Sequence, residues 1–75
     1  MAKITNKELK NAKEFGSIAR MNRLNRIPWE DNNLIALMEK FATNAETLGQ
    51  IIAAWFAGYD NMDKEYQNYD NENKR

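Results

Sequence analysis

The sequence predicts an all-α protein of three helices, and three observations carry that prediction. Apolar residues recur at three- and four-residue steps in three stretches, each stretch follows a residue of the helix-capping type, and the single proline separates the first two.

Thr5 and Glu8 have the Thr-x-x-Glu spacing of a capping box, so helix 1 is expected to begin there. Leu9, Ala12, Gly16 and Ala19, with Phe15 beside them, then form one narrow face. Its small side chains would let another helix come close, and such an approach would offset the ~1 kcal/mol that a mid-helix glycine costs. Pro28 biases Ile27 away from the helical region, which ends helix 1 near Leu24 or Asn25. The expected span is about residues 6–25.

Asp31 or Asn32 can cap helix 2, expected over about residues 32–42, where Leu34, Leu37, Met38 and Phe41 make an apolar stripe. Thr43 and Glu46 repeat the capping-box spacing and place a break at Ala42 to Asn44. Helix 3, about 44–67, carries the longest pattern: Leu48, Ile52, Trp55, Tyr59, Met62 and Tyr66 form a seam that Ile51 and Phe56 widen. Residues 1–67 thus read as a single helical domain, and the polar, Asn-rich 68–75 as a disordered tail.

A chain of 75 residues has room for one domain. At that length only about 60% of the unfolded surface is buried, so stability is expected to be marginal. Without Cys or His, disulfides and the usual metal sites are closed as reinforcement, and a partner surface remains. No metal or cofactor is expected. The same absence argues against an enzyme, since His is the usual general base and Cys the most readily activated nucleophile. The carboxylate pairs Glu30 with Asp31 and Asp60 with Asp63 lie in polar surroundings that would not raise a pKa, and Gly16, Gly49 and Gly58 are too isolated to make a phosphate loop. No apolar run approaches the ~20 residues of a membrane span, and no hydrophobic signal core follows the N-terminal lysines. The expectation is a soluble cytoplasmic protein with no membrane partner.

The formal net charge of zero conceals a split: residues 1–29 carry net +5 and residues 30–75 net −5. Lys7, Lys10 and Lys13 crowd the start of helix 1, while Asp60, Asp63 and Glu65 crowd helix 3 towards its end, both against the helix dipole. Arg20, Arg23 and Arg26 step by three and would form a ridge suited to phosphate oxygens if helix 1 reaches that far. Nucleic acid is the ligand this pattern points to, with Trp29 able to stack on an unpaired base. The ordinary alternative is a solvated face. A third is that the basic and acidic ends meet, within the chain or across a homodimer.

Three motifs resemble a known family. Ala12-x-x-x-Gly16-x-x-Ala19-Arg20, then Pro28-Trp29, then Ala54-Trp55-x-x-Gly58-Tyr59-Asp60 are similar in order to the ribosome modulation factor family, which includes short phage-encoded members. The resemblance covers roughly residues 12–60. It implies a small helical cytoplasmic protein that contacts ribosomal RNA on the small subunit, blocks translation and favours inactive ribosome dimers. Typical members are strongly basic and lack the additional helix that Leu34 to Gly49 supplies here. The expected RNA-binding residues are Lys7, Lys10, Lys13, Arg20, Arg23, Arg26 and Trp29. The alternative is a protein–protein module, such as a phage-type inhibitor of a host factor, using Asp60, Asp63, Glu65 and the apolar seam of helix 3.

Overall fold

Thr5 closes the first helix start as its spacing requires: its backbone N–H donates to the Glu8 carboxylate at 3.1 Å, and its hydroxyl meets the same group. The computed structural model describes residues 5–73, with side chains through residue 67. It contains α1 (Asn6–Met21), a 3-10 turn (Pro28–Glu30), α2 (Asn32–Phe41) and α3 (Ala45–Asn73). The protein is all-α, α1 packs along α3, and α2 closes against both. Among the described residues no helix is long and apolar enough to cross a membrane.

The start of α2 follows the expected chemistry. Asp31 caps α2, its Oδ1 accepting from the backbone N–H of Asn33 at 3.0 Å and of Leu34 at 3.4 Å. The break before α3 falls where expected, but Asn44 rather than Thr43 is the cap: its Oδ1 accepts from Thr47 N–H at 2.8 Å. Asparagine is at least as good a cap as threonine, and here it stands next to the first helical residue.

Three boundaries and faces differ from expectation. Helix α1 stops at Met21, four residues early, because Arg23 takes a left-handed conformation with φ 61°. Arg23 N–H then donates to Arg20 O at 3.0 Å and Leu24 N–H to Ala19 O at 2.9 Å, the paired bonds of a Schellman ending. Helix α3 continues to Asn73, so residues 68–73 of the segment expected as an unstructured tail are helical, while residues 74 and 75 lie outside the described residues. The side chains of 68–75 lie outside the described residues. The buried line of α3 is Ile51, Trp55 and Gly58, rotated from the expected seam, and Tyr66 is exposed.

Glycine explains that rotation. A Cβ built on Gly16 would lie 2.9 Å from the Trp55 carbonyl carbon and from Tyr59 N, and one built on Gly58 2.7 Å from the Lys13 carbonyl carbon. Each helix thus uses the other's backbone as its packing surface, which only a residue without a side chain permits. Ser17 Oγ donates to Gly58 O at 3.1 Å across the same contact. The helices run in the same sense, with Lys13 beside Gly58 and Arg20 beside Asp63. Ala12, Ala19, Leu34, Met38, Ile51 and Trp55 are the buried core, and Leu9, Phe15, Phe41, Leu48, Ile52 and Phe56 pack around it.

Gly49 has no such neighbour: a Cβ there would meet nothing within 4 Å. Gly49→Ala is therefore expected to stabilise α3 by up to about 1 kcal/mol through helix propensity alone. Thermal denaturation checks it, and a lower melting temperature would contradict the open-space reading.

Candidate nucleic-acid interface

Helix α1 turns its Ala12, Gly16 and Ala19 stripe onto α3, which leaves its opposite side to solvent. At about 100° per residue, Lys7 and Lys10 project to that open side together with Ile18 and Met21, while Lys13 and Arg20 lie above one another on its flank. Lys7, Lys10 and Lys13 are exposed, and among the described residues none of the three is in an ion pair.

The three arginines expected as one ridge occupy three different settings, because α1 has ended before two of them. Arg20, in the last turn of α1, donates through Nε to Asp63 Oδ1 at 2.7 Å, with its guanidinium 4.9 Å from the Tyr66 ring centre. Arg23 is exposed at the left-handed position that ends the helix. Arg26, in the connector, meets Asp60 through two parallel bonds, Nε to Oδ1 and Nη2 to Oδ2, each 2.8 Å, and stacks 4.2 Å from the Phe56 ring centre. The basic and acidic halves of the sequence therefore meet within the chain. Hydrogen bonding to the aspartates raises the Arg20 and Arg26 pKa, and Arg26 holds the Asp60 carboxyl below the ordinary carboxylate range.

Asp60 and Asp63, expected as partner contacts of a protein module, are thus engaged by the protein's own arginines, whereas Glu65 is exposed. A further tie holds the connector to α3, as Tyr59 OH donates to Leu24 O at 2.6 Å. Behind the connector lies a hollow of about 200 Å³ whose walls include Leu24, Ile27, Asp31 and Trp55. That is below the ~300 Å³ at which small-molecule sites usually begin.

Trp29 is 61% exposed, on a turn whose first residue, Pro28, is buried. Ile18, Met21, Leu24 and Ile27 are also exposed, between 44% and 54%. Sequence reasoning did not single these four out. Their signal was angular for Ile18 and Met21, which fall on the lysine side of α1 rather than on the small-residue stripe.

A left-handed arginine is a position that glycine fills at no steric cost. Arg23→Gly is expected to raise stability by about 1 kcal/mol, read as a melting temperature higher by ~4–8 °C. A fall would show that the Arg23 side chain contributes more to the fold than its conformation costs.

Several residues that carry the family resemblance have packing roles: Ala12, Gly16 and Ala19 face α3, Gly58 receives the backbone of α1, and Trp55 fills the core, whereas Trp29 is exposed. Comparison with family models, with curated proteins and with solved structures gives no match.

Proposed function

We propose that this protein acts by binding rather than by catalysis, and that its ligand is RNA. In the manner of the ribosome modulation factor family that it resembles, it would occupy ribosomal RNA of the small subunit and so regulate translation. The observation that carries the reading is a local cluster of free positive charge: Lys7, Lys10 and Lys13 stand exposed on α1 and unpaired among the described residues, while Arg20 and Arg26 of the same half are engaged by Asp63 and Asp60. Arg23 and Trp29 are also exposed, and they offer a guanidinium and an aromatic face, the groups that hold phosphates and stack on unpaired bases.

The test is co-sedimentation with ribosomes at increasing salt, with and without ribonuclease, using the wild type and Lys7→Glu/Lys10→Glu/Lys13→Glu. The wild type should co-sediment and lose binding steeply as salt rises, whereas the triple variant should remain helical by circular dichroism and stay in the supernatant. Reversal at Arg20 and Arg26 is a poorer test, since it would set glutamates against Asp63 and Asp60. If the triple variant co-sediments as well as the wild type, the lysines are not the contact and the reading fails.

One observation favours a second reading, a protein partner. Ile18, Met21, Leu24, Ile27 and Trp29 offer exposed apolar side chains from the same end of α1 and its connector. A complex that survives high salt and ribonuclease, and is lost on Trp29→Ala/Met21→Ala, would replace RNA with a protein ligand.

A further inference from the structure

We propose that Asp60 and Asp63 form an intramolecular gate on RNA binding, holding Arg26 and Arg20 in the free protein and yielding them to phosphates in the complex. The proposal rests on the RNA reading above and concerns the regulation of that surface.

The geometry of the Arg26 pair is the first argument. Two parallel bonds of 2.8 Å from one guanidinium edge to two carboxylate oxygens are the arrangement that a phosphate also accepts, so Asp60 occupies the donors that RNA would use. Asp63 occupies Arg20 Nε at 2.7 Å, and its second oxygen is held in place by Gln67 Nε2, also at 2.7 Å. Accessibility is the second. The Arg26 and Asp60 side chains are 53% and 52% exposed, so a phosphate can reach the guanidinium without any helix moving. Pairs this exposed are weak enough to be exchanged for another anion. Position is the third: Lys13 lies on the same flank of α1 as Arg20, two turns earlier, so RNA held by the lysines is brought beside the arginines before they are released.

Anisotropy of a fluorescein-labelled oligouridylate, titrated with the full chain, reads the gate directly. Asp60→Asn/Asp63→Asn should bind about tenfold more tightly than the wild type, the combined effect of freeing one exposed and one half-buried pair. Glu39→Gln/Glu46→Gln removes the same charge from exposed carboxylates that hold no arginine among the described residues, and should change affinity less than twofold. Adding Arg20→Gln/Arg26→Gln to the aspartate variant should cancel its gain. If the aspartate double variant loses helical circular dichroism, Asp60→Asn alone, at the more exposed pair, is expected to give about threefold.

A wild type that binds and an aspartate variant that binds no better overturn the gate and leave the RNA reading standing. An equal gain from the glutamate control, or a gain that survives loss of both arginines, also overturns it, because general charge would then be the cause. If neither the wild type nor the aspartate variant binds, the RNA reading fails and the gate with it. Binding by the aspartate variant alone would be the gate in its strongest form.

Discussion

Gly16→Leu is expected to destabilise the protein by at least about 3 kcal/mol, at the upper end of what overpacking costs. The reason lies in what the new side chain would meet. Its Cβ would be 2.9 Å from both the Trp55 carbonyl carbon and Tyr59 N, and nearer still to the Trp55 carbonyl oxygen. These are backbone atoms in the middle of α3, so no rotamer change relieves the clash and the helices must separate. Separation would open the contact that buries Ala12, Ala19 and Trp55. Leucine's better helix propensity returns only about 0.8 kcal/mol. For 75 residues the whole stability is expected to be ~4–11 kcal/mol, so the loss should appear as a fall of more than 10 °C in melting temperature or as no cooperative transition at all. Gly58→Ala should act in the same direction, since its Cβ would lie 2.7 Å from the Lys13 carbonyl carbon. Circular dichroism melts of both variants decide the matter. An unchanged or higher melting temperature for Gly16→Leu would mean that α1 and α3 do not touch at their glycines.

How much of this was legible in the sequence depends on the range of the interaction. Local devices were legible: the Thr5–Glu8 pair, the Asp31 cap and the break at 42–44 depend on residues within four of one another. The Ala12, Gly16 and Ala19 stripe was also legible, because three small residues on one face have few other uses. The rotation of the α3 seam was not. Periodicity favours the largest apolar residues, whereas the contact is centred on Gly58, where the backbones can approach most closely. The end of α1 was misplaced because the left-handed position is filled by Arg23, which carries none of the glycine signal.

The charge split was visible as a composition difference, but its pairing was not. Arg20 and Asp63 are 43 residues apart and Arg26 and Asp60 are 34 apart, so their meeting depends on how α1 is seated along α3. That seating is set by the two glycines. The candidate site therefore depends on packing at one remove: move the crossing by a turn, and Arg20 no longer reaches Asp63.

Asp31→Ala is expected to cost about 2–4 kcal/mol, more than the loss of a helix cap alone. Asp31 is 7% exposed, and its two oxygens serve different elements. Oδ1 caps α2, a contact worth ~1 kcal/mol, while Oδ2 accepts from the fully buried Trp55 indole N–H at 2.8 Å. Without the carboxylate that N–H is buried and unpaired, which costs a further ~1–3 kcal/mol. The short turn before α2 and the centre of α3 are tied by this one side chain. Asp31→Asn keeps a side-chain oxygen and an amide of the same size, but the amide NH₂ cannot accept. It can serve the cap or the indole, not both, so its loss should be intermediate. A double-mutant cycle with Trp55→Phe separates the two roles, because phenylalanine removes the donor that Asp31 satisfies. In the Trp55→Phe background Asp31→Ala should cost only the cap, ~1 kcal/mol, leaving a coupling of about 1–3 kcal/mol between the two positions. Urea denaturation of the four proteins measures that coupling. A value near zero would mean that Asp31 acts on α2 alone and that the Trp55 indole N–H finds another partner.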